Sequence, residues 1–237
     1  MTSNKITFNT MKKIVAVSAL SFSTLGLATL SHALSPFEAT YQFSYGNKKM
    51  GDATRKLSKV GNQWQYQFSS KIPIIGSATE TSKFGFHNGL ITSNEYTRRT
   101  KILVHSDTVK MNFNPNQKNI NTSRKDKNRT LTWKSGVLDD LNAELQVRED
   151  LKAGGLKSSY WIADYKEVEA RQFVKEGTEK VKAADGKTYD TVKVRLKHSR
   201  ATKNTIFWLA PSLDYLPIKV THQDDDESYG LLLKAKK

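Results

Sequence analysis

The segment PFEATYQFSYGNKKMGDATRKL, from Pro36 to Leu57, decides the fold class, because apolar and polar residues alternate along it. Alternation with a period of two places every second side chain on the same face of an extended strand. Gly46-Asn47 is a turn signal between two such runs, and the second run begins at Gly51. We therefore expect an antiparallel hairpin with one apolar face. The apolar row of its first strand consists of Phe37, Ala39, Tyr41, Phe43 and Tyr45.

The same alternation continues along most of the chain. Short turns separate the runs, which predicts a meander in which neighbouring strands pair in order. The segment Lys71 to Gly76 interrupts the pattern, because Pro73 cannot donate to a central ladder, and it is expected to be an edge or a connecting loop. Further strands are predicted at Trp64 to Phe68, Glu80 to Phe86, Ile91 to Thr97, Thr108 to Phe113, Ile120 to Arg124, Tyr160 to Asp164, Glu167 to Glu176, Glu179 to Ala184, Thr191 to Lys197, Thr205 to Leu209, Ile218 to His222 and Tyr229 to Lys234.

One helix is predicted within VLDDLNAELQVREDLKAGG, from Val137 to Gly155. Asp139 is placed to cap its start, and Gly154-Gly155 ends it. Three leucines at helical spacing form one stripe, and two further apolar residues lie on the opposite side. We therefore expect a helix that is covered on more than one face. The stripe consists of Leu138, Leu141 and Leu145, and the opposite pair is Val147 and Leu151.

The N-terminus carries the pattern of a secretory signal peptide. Lys12 and Lys13 precede an uncharged, largely apolar run from Ile14 to Leu30, and small residues stand before the expected cleavage after Ala33. A transmembrane anchor is the competing interpretation, but the run is shorter than the roughly 20 residues that span a bilayer. We therefore expect residues 1–33 to be a cleaved signal peptide and residues 34–237 to form a single β-rich domain. The expected location is the periplasm of a Gram-negative bacterium, with secretion as the alternative.

The composition limits the chemistry and the partners. The chain has 237 residues and no cysteine, so disulfide bonds and thiol chemistry are excluded. Its formal charge is +15, from 38 Lys and Arg residues against 23 Asp and Glu residues. Without Lys5, Lys12 and Lys13, 35 basic residues remain against the same 23 acidic ones, so the mature domain carries +12.

The basic residues are densest in two places, Arg124 to Arg129 and Arg98 to Lys101. No aromatic residue stands between the charges of the first cluster, so a surface that stacks bases is poorly supported and no nucleic-acid partner is expected. The surplus indicates either an ordinary solvated surface or contact with an anionic envelope surface.

The sequence contains none of the motifs that name a reaction. No glycine-rich phosphate loop or nucleophile elbow is present, and the four histidines of the mature chain are not at metal-ligand spacing. The acidic run Asp224 to Glu227 lacks the spacing of a calcium loop, so it is expected to form an exposed hairpin tip. We predict no catalytic residue, no metal and no cofactor.

Two groups of residues are candidates for a binding site. The first is a set of aromatic side chains on one face of neighbouring strands, which either forms ordinary core or lines a groove for an acyl chain. The second is Arg148, which either pairs with Glu144 on the helix surface or forms a buried or ligand-facing guanidinium satisfied by a carboxylate. The aromatic set consists of Tyr41, Phe43, Trp64, Tyr66 and Phe68.

Three segments resemble the DUF3108 family of exported bacterial proteins: PFEATYQFSYGNKKMGDATRKL, GVLDDLNAELQVRED and IFWLAPSLDYLPIKVTHQDDDESYGLLL. The family is in turn similar to the fold of the periplasmic lipoprotein carriers, whose concavity holds acyl chains. The resemblance implies a mainly β (α+β) fold, with a large curved antiparallel sheet forming an incomplete barrel and one main helix packed on its concave side. The family's helix motif points to Arg148, without assigning it a role.

These observations predict a non-enzymatic periplasmic protein that binds a lipid or another apolar ligand in a half-barrel and serves the cell envelope. Two alternatives remain open. The protein is either an envelope interaction module whose sheet is fully plugged, or an enzyme that needs no cofactor. The sequence makes no prediction about the identity of the ligand or the oligomeric state.

Overall fold

The computed structural model describes residues 33–46 and 48–237, so the predicted signal peptide lies outside the described residues except for Ala33. Among the described residues, no helix has both the length and the apolar character needed to cross a bilayer. The helices are α1 (Asp140–Lys152) and the short 3-10 helix η1 (Pro211–Leu213). The strands are β1 (Phe37–Tyr45), β2 (Lys48–Val60), β3 (Gln63–Ile72), β4 (Gly76–His87), β5 (Leu90–Ile102), β6 (His105–Asn114), β7 (Asn119–Arg124), β8 (Lys127–Thr132), β9 (Tyr160–Ala163), β10 (Val168–Arg171), β11 (Phe173–Lys182), β12 (Thr188–Leu196), β13 (Asn204–Ala210), β14 (Leu216–Asp224) and β15 (Glu227–Lys236).

Thirteen strands form one antiparallel sheet in the order β11-β12-β13-β14-β15-β1-β2-β3-β4-β5-β6-β7-β8. Sequence neighbours pair in order, as the short turns predict, and β1 joins the two halves by pairing with β15. Within the described residues β8 and β11 are the two edges, so the sheet is an incomplete barrel rather than a closed one. The predicted fold class is confirmed.

The predicted boundary near Glu176 is wrong. The prediction placed one strand over Glu167 to Glu176 and a second from Glu179, but Phe173–Lys182 is a single strand that bulges at Gly177. Gly177 has a φ of 131°, a backbone conformation that glycine adopts without steric cost, so this glycine marks a bulge rather than a turn. The preceding strand, β10, pairs with β9 in a separate two-stranded sheet.

Helix α1 begins as the sequence predicts. The Asp139 carboxylate accepts a hydrogen bond from the backbone N–H of Asn142 at 3.0 Å, which caps the helix. The same carboxylate accepts hydrogen bonds from the hydroxyls of Ser82 on β4 and Ser93 on β5, at 2.5 Å and 3.1 Å. The cap therefore also fastens the start of the helix to the sheet.

Most of α1 is enclosed by the protein. Every residue from Leu141 to Leu151 is buried, which confirms the prediction that the helix is covered on more than one face. Gln146 accepts from the backbone N–H of Ile91 and donates to the carbonyl of Gly89, at 2.8 Å and 2.9 Å. Tyr160 on β9, in the two-stranded sheet, donates to Asp150 at 2.7 Å. The helix thus lies on the concave face of the large sheet and is bonded both to that sheet and to the two-stranded sheet.

Replacing Asp139 with Ala should lower the free energy of unfolding by about 3–5 kcal/mol. The change removes the helix cap and leaves the buried polar groups of Ser82, Ser93 and Asn142 without their shared acceptor. Urea unfolding followed by circular dichroism measures the loss. Asp139→Asn keeps one acceptor oxygen and should lose clearly less. A loss below about 1 kcal/mol in Asp139→Ala would contradict the role given to this carboxylate.

Candidate functional site

A cavity of about 810 Å³ lies between α1 and the two halves of the sheet. Its walls are mostly apolar, and they come from parts of the chain that are far apart in sequence. The residues that define it best are Phe43 and Phe68 from the N-terminal strands, Leu141 from the helix, and Phe173, Phe207 and Leu231 from the C-terminal strands.

The structure divides the predicted aromatic set. Phe43 and Phe68 line the cavity, whereas Tyr41, Trp64 and Tyr66 do not. Trp64 is half-buried and packs against the core. The remaining two tyrosines are fully buried, so they belong to the core that the sequence offered as the other interpretation of this face.

Those two tyrosines use their hydroxyls to bind distant elements. The Tyr41 hydroxyl donates to the carbonyl of Pro217 at 3.0 Å, and the Tyr66 hydroxyl donates to Glu144 at 2.8 Å. Burial followed by the nearby Glu144 carboxylate raises the pKa of Tyr66 to about 12, so this hydroxyl remains a neutral donor. Both side chains therefore belong to the packed core beside the cavity rather than to its lining.

Arg148 does not face the cavity. It is buried, so the predicted surface pair with Glu144 is wrong. Its Nε and Nη2 atoms both donate to the carbonyl oxygen of Asp214 at 3.2 Å, and its guanidinium lies 4.9 Å from the ring centroid of Phe37. The acceptor is a backbone carbonyl rather than the carboxylate that the second interpretation expected. Arg148 therefore joins α1 to the segment that follows η1.

Arg55 on β2 is the charged residue that lies at the cavity instead. Its Nη1 atom donates to Glu144 on α1 at 2.8 Å and to the Tyr66 hydroxyl at 3.2 Å. The guanidinium also lies 5.2 Å from the ring centroid of Phe68. Arg55 and Glu144 are both buried and both line the cavity, so an ion pair forms part of its floor, in which the Arg55 Nε atom has no hydrogen-bond partner.

The alternation of apolar and polar residues in β2 indicates that Arg55 faces the interior. Arg55 stands in phase with Ala53 and Leu57, which are inward-facing positions of β2. A cation at an inward position must be paired inside the protein. Burial is the largest single influence and opposes the charge of Arg55, but the Glu144 carboxylate together with Tyr66 and Tyr41 outweighs it, and the net effect raises the pKa of the guanidinium.

The apolar cavity opens toward a charged region. A second, polar cavity of about 510 Å³ lies next to it and shares part of its lining. Arg171 there pairs with Asp140 at 3.3 Å and with Glu169 at 3.1 Å, whereas Arg98 has no ion pair among the described residues. The shared residues are Arg98, Asp140, Arg171, His198 and Lys203.

Two histidines line the opening and share one hydroxyl. The Thr205 hydroxyl lies 2.9 Å from Nε2 of His198 and 2.7 Å from Nδ1 of His222. Burial, followed by the nearby charge of Lys203, lowers the pKa of His198 to about 4 and also lowers the pKa of His222. Both rings are therefore neutral at pH 7, and the His222 ring stacks on Tyr229 with centroids 4.6 Å apart.

The acidic run forms the tip between β14 and β15, as the sequence predicts, and Asp224 pairs there with Arg200. Within residues 33–46 and 48–237, no three His, Asp or Glu side chains form a group that could hold a metal ion.

Replacing Glu144 with Gln should lower the free energy of unfolding by about 3–5 kcal/mol, because the buried Arg55 guanidinium loses its counter-charge. Arg55→Met should cost a similar amount for the reverse reason. The double variant Arg55→Met/Glu144→Leu should lose at least about 2 kcal/mol less than the sum of the single losses. Urea unfolding of the three variants gives this coupling energy. Additive losses would show that the pair does not stabilise the floor of the cavity.

Stability should fall between pH 6.5 and pH 4 partly because of the two histidines. Their folded-state pKa values lie below the unfolded value, so the unfolded chain binds more protons in this range and acid favours unfolding. The urea midpoint of His198→Gln should therefore fall less over this range than that of the parent protein. The matched control is His87→Gln, at the exposed end of β4, which should follow the parent. Identical pH profiles for His198→Gln and the parent would contradict this explanation.

The comparisons with known proteins agree with this architecture. A family model described as a protein of unknown function, DUF3108, matches residues 40–234. The chain is also similar to the crystal structure of a beta-barrel-like protein of domain of unknown function DUF1849 from Brucella abortus. That likeness has a TM-score of 0.54 at 12% identity and covers 86% of this chain and 98% of that chain, so it shows the fold alone. No functionally curated protein matches the chain. Because the family model spans most of the sequence, the chain belongs to the DUF3108 family.

Proposed function

We propose that this protein is a non-enzymatic binding protein of the periplasm, which holds a lipid acyl chain or another apolar ligand and serves the cell envelope. The observation that carries the proposal is the apolar cavity of about 810 Å³. Sites for small ligands usually have volumes of roughly 300–1,000 Å³ and mostly apolar walls with a few polar groups. This cavity has both properties.

The arrangement of polar groups supports a lipid in particular. The inner walls are apolar, with side chains such as Phe207 and Leu231, whereas Arg98 and Lys203 stand where the cavity meets the polar region. An amphipathic molecule that places its hydrocarbon inward would have its polar end beside these cations. A fully plugged sheet, the basis of the scaffold alternative, would leave no space of this size.

The state of the buried charges supports a binding role rather than a catalytic one. Arg55, Glu144 and Tyr66 bond to one another at the floor of the cavity. Groups that bond to one another in this way stabilise a wall, because their charges are already paired. The periplasmic location rests on the N-terminal pattern, in which Lys12 and Lys13 precede an apolar run and small residues.

Filling the cavity should strongly weaken ligand binding without unfolding the protein. Ala78 on β4 lines the cavity, and Ala78→Trp would project an indole into it. We expect the parent protein to bind dansyl-undecanoic acid, with a blue shift and increase of the dansyl emission. Ala78→Trp should weaken this binding at least about tenfold, because the probe loses apolar contact area.

The matched control is Thr79→Trp, which adds the same side chain at the next position of β4, where the residue does not line the cavity. It should bind the probe as the parent does. Protein recovered from the periplasmic fraction should also carry lipid that organic extraction and mass spectrometry detect. The proposal fails if the parent binds no probe and carries no lipid, or if Ala78→Trp binds the probe as tightly as Thr79→Trp.

A further inference from the structure

Two neighbouring hairpin turns expose large apolar side chains at one end of the sheet. The β3–β4 turn carries Ile74 and Ile75, and the β5–β6 turn carries Leu103 and Val104; we name these four residues the apolar tips. Ile74 is 97% exposed and Val104 is 87% exposed. With Ile102, the apolar tips account for five of the ten large hydrophobic residues that are exposed in the described chain. They therefore form one patch rather than scattered surface residues.

The apolar tips are held next to each other by the backbone. The N–H of Leu103 donates to the carbonyl of Ile75 at 2.9 Å. Gly76 allows the two strands to approach, because a Cβ at this position would lie 2.1 Å from the carbonyl oxygen of Lys101. The patch is thus a fixed feature of the sheet.

Two of the apolar tip residues adopt an unfavourable backbone conformation. Ile74 has a φ of 69° and Leu103 has a φ of 52°, in the left-handed region that Gly and Asn adopt more readily. The β-branched side chain of Ile74 makes this conformation especially costly. At the other end of the same strands, the turns consist of Gly61-Asn62 and Asn88-Gly89, the residues that such turns usually contain. Folding alone does not explain why apolar residues occupy the two tips.

Cations surround the apolar tips. Lys71 precedes one turn and Lys101 precedes the other, and both are exposed. Lys48 and Lys49 are also exposed on β2, which begins at the same end of the sheet. Lysine is depleted at protein–protein interfaces, whereas apolar side chains flanked by lysines are typical of surfaces that enter the headgroup region of an anionic membrane.

The apolar tips adjoin the cavity. Ile75 lines the cavity, and so do Ile72, Lys101 and Ile102, which flank the two turns. A bilayer in contact with the tips would therefore lie at the cavity's edge.

We propose that the apolar tips dock the protein on an anionic bilayer, with Ile74 and Val104 entering the headgroup region and Lys71 and Lys101 contacting anionic headgroups. This inference goes beyond ligand binding, because docking does not require an occupied cavity. The arrangement would allow an apolar ligand to pass between the bilayer and the cavity while staying largely out of water.

Vesicle flotation tests the proposal. Protein purified after export from a Gram-negative host is mixed with vesicles of phosphatidylethanolamine and phosphatidylglycerol, or with vesicles of phosphatidylcholine alone. The parent should float with the anionic vesicles. Ile74→Asn/Val104→Thr should bind them at least about tenfold more weakly, because the apolar contacts are lost. Lys71→Gln/Lys101→Gln should lose about fivefold per lysine on anionic vesicles only.

The matched control is Leu90→Asn/Val60→Thr, which changes two residues at the opposite end of the sheet that are 54% and 56% exposed. This variant should bind anionic vesicles as the parent does. All variants share one N-terminus, so their differences report on the substituted residues. Ile74→Asn alone should also raise the melting temperature, because Asn tolerates the left-handed conformation; a purely structural role for Ile74 would predict a decrease.

The cavity-filling variant Ala78→Trp separates this proposal from the proposed ligand function. It should bind anionic vesicles normally even though it binds dansyl-undecanoic acid at least about tenfold more weakly than the parent. Absence of vesicle binding by the parent, or an equal loss in the tip variant and the opposite-end control, would overturn the docking proposal. The proposal would also be overturned if the parent protein did not bind vesicles but bound an envelope protein through the apolar tips. That result would assign the surface to a protein partner.

Discussion

The burial of a polar helix is the constraint on which this structure depends. The eleven residues from Leu141 to Leu151 are all buried, although six of them are polar or charged. A buried polar group that finds no partner costs about 1–3 kcal/mol, and each of these six side chains makes at least one hydrogen bond. Three of their atoms, Asn142 Oδ1, Arg148 Nη1 and Glu149 Oε2, remain without a partner. Ser82 and Ser93 meet the start of the helix, and Arg55 meets its middle. These contacts set both the rotation and the position of α1.

A helix positioned by polar contacts need not fill the space around it. The contacts from Arg55 hold one side of α1 to the N-terminal strands, and Arg148 holds the helix to the segment after η1. The C-terminal strands face the remaining space with apolar side chains such as Phe207 and Leu231. The cavity is therefore a consequence of how the helix is held. The lining of the cavity is apolar inside and charged at the opening, and the exposed apolar turns adjoin the cavity. This arrangement suits the transfer of an amphipathic molecule.

Much of the fold could be predicted from local patterns. Alternation revealed most strands, and Asp139 with Gly154-Gly155 marked the ends of α1. Gly177 was misinterpreted, because a glycine in a bulge and a glycine in a turn look alike until the pairing strand is known. For the candidate site, the predicted residues Phe43 and Phe68 do line the cavity. The partner predicted for Arg148 was wrong, because its acceptor, the Asp214 carbonyl, lies 66 residues away in the sequence.

The sequence by itself determined the strands, the capped helix, the family and the charge, because each depends on residues close together in the chain or on composition alone. Only the tertiary structure decided that Arg55 is the buried cation of the cavity, that Phe173, Phe207 and Leu231 face Phe43 and Phe68, and that two apolar turns lie side by side. The physical reason is that the curvature of the sheet and the pairing of β1 with β15 bring distant segments across one interior. Alternation shows which side chains share a face, but not what that face meets.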